Sequence, residues 1–543
     1  MLQIHPVNSS IETWNPSIEG TILSLFDPSP QAENWEKNVD QQILKIAYQF
    51  LRQIEASSDI ELPDLMAQFQ EFHLPDDASS FDTYLESLTK TLIPHSIHTS
   101  SPRFIGHMTS ALPHFMRPLA KLMTALNQNL VKTETAKAFT PYERQALGIL
   151  HRSLYQFPDE FYDYHLQNSH STLGMVVSGG TSANFTAIWC ARNSSLGPKG
   201  DFKGIEKEGL AAALEFYGYQ GQVIIGSSLM HYSFEKAADL LGIGSQGLIK
   251  IPASRHNRID LDCLRETVAE CRAQKQHIIA IVGIAGTTDS GGIDPIEEMA
   301  AIAQAAGVHF HVDAAWGGPL IFSQQHRHKL AGIEQADSVT IDAHKQLYAP
   351  MGIGMVMFQN PQLAKAIEKH ACYTVREGSA DLGQRSLEGS RPAMSLFLHA
   401  GLHAIGLKGY EFLIDEGIRK TQYMAEQVRL SPEFELLAEP EINLLIYRYI
   451  PEQLREFVAK GELTETQNQA IDLVNEQLQK AQRHAGKTFI ARTITQTTRY
   501  GPMAIVALRA ALANPLTTEA DIDAVLDDQI ALATQLNLGG SQF

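Results

Sequence analysis

The chain has 543 residues, 44% of them hydrophobic and 19% charged, with a net charge of -18. That length can bury more than one large core, and the acidity disfavours nucleic acid and anionic membrane as partners. No apolar run approaches the roughly 18 residues that span a bilayer, the first residues lack an export signal, and the scattered Cys190, Cys263, Cys271 and Cys372 fit a reduced, cytoplasmic protein.

Residues 1–100 read as a helical arm, with apolar residues at three- and four-residue spacings over 35–55. The arm is either an element exchanged between subunits or a simple cap. A large domain is expected over 101–409. From Leu173 onward, short β-rich runs (GMVVSGG, QVIIGSS, IIAIVGIAGTT, VHFHVDAAWGG, DSVTIDAHK) alternate with helical segments. This alternation argues an α/β fold with a mostly parallel sheet covered by helices on both faces. Residues 193–207, rich in Gly, Ser and Lys, read as a surface loop. Asp294-Pro295-Ile296-Glu297 reads as a helix start with Asp294 as N-cap. After about Gly409 a long amphipathic helix leads into a smaller α+β domain over 410–543. There ELLAEPEINLLIYRYI and TFIARTITQ read as strands, and TTEADIDAVLDDQIALATQL as a final capped helix. No internal repeat is present.

In open α/β sheets, ligands bind beyond the carboxyl ends of the strands, and the polar residues of interest fall there. SGGTSAN (178–184) follows a strand and opens a helix. Its backbone N–H groups, with the Thr181 and Ser182 hydroxyls, either cradle a phosphate or simply make a tight turn. His231 enters a helix just after a strand, and either stacks on a planar ring or is a half-buried helix-start histidine. Thr287 and Thr288 end another strand, where they would bond a ring's substituents or only shape the turn. Asp313 ends HFHVD, where a lone carboxylate would be costly to bury; a protonated pyridine nitrogen would compensate it. Lys345 ends the next strand run, preceded by His344, and a lysine there can form a Schiff base. An aspartate for a pyridinium and a lysine for an aldehyde are the minimal set for pyridoxal phosphate chemistry. His309 with His311, and His326 with His328, have spacings that zinc sites can use, but there is no HExxH motif and no cysteine pair, and no metal site is expected.

SGGTSAN, HYSFEKAA, AGTT…GGIDP, HVDAAWGG, HRHKL and AHK, in this order, resemble the group II pyridoxal-phosphate-dependent amino acid decarboxylases, of the fold-type I transferase architecture. The resemblance covers about Ser101 to the C-terminus. It implies that Thr181 and Ser182 hold the phosphate, that His231 stacks on the ring with Thr288 and Ala315 nearby, and that Asp313 pairs with the ring nitrogen. Lys345, beside His344, would carry the cofactor. It further implies that Arg391 binds the α-carboxylate, that Tyr373 on a mobile loop returns the proton, and that two subunits share their active sites in a homodimer. Trp316 and HRHKLAGIE resemble the members acting on small acidic amino acids. The implied reaction is loss of C1 of aspartate to give β-alanine for pantothenate and coenzyme A, with glutamate and cysteine sulfinate as alternatives. His107, with Arg103 and Lys137 as helpers, is the candidate for the side-chain carboxylate. A lyase of another reaction type is the rival reading. Two departures from the family pattern stand out: His107 in place of a glutamine, and Asp342-Ala343 in place of Asn-Pro.

Overall fold

Seven strands build the central sheet of this computed structural model, which describes residues 22–371, 375–376, 378–496, 498–501 and 503–538. They are β1 (Gly174–Val177), β2 (Gly221–Ser227), β3 (Leu248–Ile251), β4 (Gln276–Ile284), β5 (His309–Asp313), β6 (Ser338–Asp342) and β7 (Gly354–Phe358). Their spatial order is β1-β7-β6-β5-β4-β2-β3. The pairs from β3 through β6 are parallel, and β7 alone runs against both its neighbours. Every residue of β6 and β7 is buried. Helices on both faces impose that burial, and it selects continuous Val, Ile and Met runs over alternation. The parallel strands β5 and β6 therefore deliver Asp313 and Asp342 to the same edge of the sheet.

The 25-residue helix Gly406–Leu430 leads into a second, antiparallel sheet. It comprises β8 (Phe434–Leu436), β9 (Leu444–Tyr449), β10 (Ala491–Thr495) and β11 (Ile505–Ala511), in the order β10-β11-β9-β8. Helices Glu465–Ala485 and Glu519–Gln535 cover it, each opened by a capping box, Thr464 with Gln467 and Thr518 with Asp521. Ile105 belongs to this second core. Its amide donates to the Phe489 carbonyl at 3.2 Å, and its carbonyl accepts from Ala511 N at 2.6 Å. The strip just after Ser101, expected to open the large domain, is thus packed against the small sheet.

The two sheets are locked together at Trp316. Its indole N–H donates to Asn443 Oδ1 at 2.9 Å, Asn443 Nδ2 donates to Gln346 Oε1 at 2.9 Å, and Gln346 Nε2 donates back to the Trp316 carbonyl at 2.7 Å. Trp316 is therefore a core residue at the junction of the sheets.

Two local expectations are corrected. Asp294 does not cap the helix Ile296–Ala306, whose N-cap is Pro295. Its buried carboxylate instead accepts from Ile259 N at 2.8 Å and Ile284 N at 3.0 Å, tying the end of β4 to the preceding connection. Residues 193–207 form a surface loop only in part, because a helix runs through Ser195 and Leu196 and Phe202 are buried. At the N-terminus, Ser29 caps the helix Pro30–Leu51, of which only Val39 is buried. Among the described residues no helix is long and apolar enough to cross a membrane.

Candidate active site

The turn after β1 leads straight into the helix Gly180–Ser195. Gly179, its N-cap, has φ +152°, a backbone that favours glycine, and no side chain caps the first turn. A Cβ at Gly179 would lie 3.3 Å from His344 Cε1, and one at Gly180 would lie 3.3 Å from Ala315 Cβ. The Ser178 and Ser182 hydroxyls are 2.8 Å apart. Free N–H groups, hydroxyls and the positive end of a helix dipole make this an anion cradle.

From the same helix, Asn184 reaches Asp313. Its Nδ2 donates to Asp313 Oδ2 at 2.8 Å and to Ser233 Oγ at 3.0 Å, and the other aspartate oxygen accepts from Ala315 N at 3.1 Å. Behind Asn184 lies a file of buried polar groups. His311 Nε2 is 3.1 Å from Asn184 Oδ1, His311 Nδ1 is 2.9 Å from Ser338 Oγ, and His309 Nε2 is 2.7 Å from the same hydroxyl. The two strand histidines are thus committed to Asp313's support, and among the described residues no group of three or more His, Cys, Asp or Glu could hold a metal.

Lys345 follows β6 and lies 3.2 Å from Asp342 Oδ2. His344 donates from Nδ1 to the Ile353 carbonyl at 2.9 Å, which leaves Nε2 facing Asp342 at 3.7 Å. His231 accepts the Ser233 amide at Nδ1, 3.2 Å away. Desolvation holds its ring below the ordinary imidazole range, with the charge of Asp313 pulling the other way.

The cations expected on the substrate side divide sharply. Arg391 is engaged by the buried Glu143: Nη1 donates to Oε2 at 2.8 Å, and Nη2 to Oε1. Burial opposes its charge, and Glu143 more than offsets this, holding the guanidinium above its usual range. Arg391 is therefore not a free carboxylate clamp in this structure, because a carboxylate of the chain already fills it. Arg103 pairs with Asp521 at 3.3 Å, and Lys137 is exposed. Arg509, on β11, behaves differently. Its Nη1 donates to the Thr288 carbonyl and its Nη2 to that of Gly106, each at 3.0 Å. Its Nε is buried without a partner, and it makes no ion pair among the described residues. His107, next to Gly106, is held below its usual range by desolvation first, then by the positive charges of Arg509 and Lys345. Arg509, His107, Thr288 and Lys345 thus share one neighbourhood. Tyr373 lies outside the described residues.

Residues 63–450 match the family model described as the pyridoxal-dependent decarboxylase conserved domain. The chain belongs to this family. It is 46% identical over 533 residues to the aspartate 1-decarboxylase of Aliivibrio fischeri, covering 97% of each chain. It is 27% identical over 485 residues to the cysteine sulfinic acid decarboxylase of Mus musculus, covering 87% of this chain and 90% of the relative. The crystal structure of mouse CSAD shares the fold, with a TM-score of 0.81, 24% identity, and coverage of 93% of this chain and 99% of that one.

The protein is accordingly a pyridoxal-phosphate-dependent amino acid decarboxylase of the α/β class, and its residues fit that cofactor. The uncapped helix start suits the phosphate, the supported Asp313 carboxylate suits a protonated ring nitrogen, and Lys345 lies on the adjacent strand end. Asn184 and Ser338 were not singled out from sequence and His311 was weighed there only as a metal ligand, although the Asn of SGGTSAN and the His of HVDAAWGG stood inside quoted motifs. Arg509 had no such signal, because its importance comes from contacts with residues more than 200 positions away.

Proposed function

We propose that this decarboxylase acts on L-aspartate at C1, releasing carbon dioxide and β-alanine, a precursor of pantothenate and coenzyme A. The observation that carries the reading is Arg509, a partly buried guanidinium that makes no ion pair among the described residues and stands beside His107 and Thr288. Burying an unpaired cation is costly, and a substrate carboxylate would compensate it. The 46% identity to a relative named aspartate 1-decarboxylase supports the same substrate.

When bound, pyridoxal phosphate supplies the sink for the electron pair left behind as the carboxylate departs. The N-terminus of helix Gly180–Ser195, with Thr181 and Ser182, would hold its phosphate. Asp313 would keep the ring nitrogen protonated, His231 would cover one face, and Lys345 would bear the cofactor covalently. Arg509 as a cation and His107 as a neutral donor would face a substrate with two carboxylates. Tyr373 is proposed to deliver the proton to Cα. The working unit is proposed to be a homodimer, supported by the apolar residues left exposed on the N-terminal arm.

The test is competition between aspartate and glutamate at equal concentration, with both amine products quantified. β-Alanine should dominate; an excess of γ-aminobutyrate would make glutamate the substrate. One methylene is usually discriminated by only about 1–3 kcal/mol, so some turnover of glutamate is expected. Arg509→Met should lower kcat/KM by about ten- to a hundred-fold, the equivalent of one charged hydrogen bond of roughly 1.5–3 kcal/mol.

A further inference from the structure

Asp289 is a carboxylate beside the proposed substrate cation, and nothing in the proposed reaction uses it. It follows Thr288, whose carbonyl accepts from Arg509 Nη1 at 3.0 Å, so its side chain starts one peptide away from the guanidinium. Burial pulls Arg509 below its usual range, and the charge of Asp289 pulls the other way. Yet the two make no ion pair among the described residues. A carboxylate thus stands close enough to be felt, and does not close on a cation whose Nε is buried without a partner.

The group that engages this carboxylate is on β10. Thr493 Oγ1 donates to Asp289 Oδ1 at 2.5 Å, its one hydrogen bond among the described residues. Strand register accounts for the position of that hydroxyl. Ala491 lies opposite Arg509 and Thr493 opposite Ala507, so Thr493 is the diagonal neighbour of Arg509 on one face of the sheet. Arg509, Thr493 and Asp289 meet where the small sheet touches the turn after β4. The backbone of that turn is pinned, because Thr287 Oγ1 accepts from Gly292 N at 3.0 Å and lies 2.9 Å from Ser290 Oγ. The direction of the Asp289 carboxylate is then set by its own side chain and by Thr493.

Charge-assisted pairs of arginine with a carboxylate are strong, and a guanidinium so engaged is closed to a carboxylate ligand. Arg391 shows that outcome in this chain, where Glu143 has closed on both its Nη atoms. We propose that Asp289 competes with the substrate carboxylate for Arg509, and that the Thr493 hydroxyl decides the competition by holding Asp289 aside. The inference rests on the reading of Arg509 as the cation that takes a substrate carboxylate. Thr493 and Asp289 are positioning residues, acting through Arg509. The fraction of free enzyme with Arg509 open scales the apparent affinity, while bound substrate reacts at an unchanged rate. The signature is a change in KM without a change in kcat.

The experiment measures kcat and KM for aspartate on the full-length holoenzyme, together with calorimetric binding of succinate, a dicarboxylate with no amine to react. Thr493→Val removes the hydroxyl at similar volume, and should raise KM and weaken succinate by roughly ten-fold with kcat unchanged. Adding Asp289→Asn to it should restore wild-type affinity or better, because an amide no longer competes for the cation. A merely structural role for Thr493 would leave the double variant as weak or weaker. Thr493→Ser, which keeps the hydroxyl, should retain the wild-type KM, and Thr493→Ala repeats the test if Thr493→Val does not fold. A wild-type KM in the variants without the hydroxyl, or no recovery in the double variant, overturns the competition. Arg509→Met separates the two ideas. If it binds succinate as the wild type does, the reading of Arg509 itself falls. If it weakens succinate while Thr493→Val does not, only the competition falls. In the Arg509→Met background, Thr493→Val should change nothing further.

Discussion

The amide of Asn184 donates to Asp313 Oδ2, and because an ionised carboxylate only accepts, this bond fixes which end of the amide is nitrogen. Asn184 Oδ1 then faces His311, so His311 carries its proton on Nε2 and accepts at Nδ1. The Ser338 hydroxyl must donate to that Nδ1, and must in turn accept from His309 Nε2–H. Each donor in the file points toward Asp313. The order requires a neutral His311, and burial pushes that ring down to about 3. The file therefore holds the Asp313 side chain in one rotamer, facing the place of a ring nitrogen that carries a proton. Asn184→Ala would leave both Asp313 Oδ2 and His311 Nε2–H without their partner. A buried group left unpaired costs about 1–3 kcal/mol, so the variant should retain pyridoxal phosphate about ten- to a hundred-fold less tightly. Cofactor release followed by absorbance checks this, and wild-type retention would remove Asn184 from the site's support.

β1, β2, β4 and β6, with their Val, Ile and Thr residues, were legible because burial on both faces leaves an apolar signature, and β5, which reads HFHVD, by its place in the same alternation of strands and helices. β3, β7 and β11 were not. The segment AIVALRAALA around β11 is alanine-rich, and its period does not separate strand from helix; only pairing with β9 and β10, set by distant sequence, makes it a strand. Arg509 was hidden with it. Arg391 shows the converse, since its SRPA motif was readable while Glu143, 248 residues away, was not. Asp294 shows that a capping pattern yields to tertiary demand, and it carries a pH signature. Desolvation raises its carboxyl from 3.8 to about 7 despite two backbone donors. An acid whose folded value is raised adds stability that is fully present below the unfolded value and is lost as pH rises through the folded one. Between pH 3.8 and about 7 the Asp294 contribution should therefore fall as pH rises. Comparing the melting temperature of wild type and Asp294→Asn across this range isolates the term. A difference between the two that does not change with pH would refute it.

For the whole molecule, the unpartnered surface is concentrated on the N-terminal arm, where Phe26 is 81%, Phe72 85% and Leu74 91% exposed. Clusters of large apolar side chains in water mark an interface. Each such side chain is worth roughly 1.5–3 kcal/mol when buried, so Phe72→Glu with Leu74→Glu should shift a dimer toward monomer in sedimentation. A wild-type chain that sediments as a monomer would end the homodimer reading. The second sheet has a consequence of another kind. Lys345, Asp313, His231 and Thr181 all lie within residues 63–450, the stretch that matches the family model, and Arg509 lies beyond it. On the proposed reading, His107 and Thr288 stand within the same stretch as the cofactor residues, while the proposed carboxylate-binding cation, Arg509, lies in a different part of the chain. If Arg509 takes a substrate carboxylate as proposed, a change on β11 is expected to alter which acid is accepted while Lys345, Asp313 and His231 stay in place. A strand outside the segment by which the family is recognised then becomes a place to redirect the enzyme toward another amino acid.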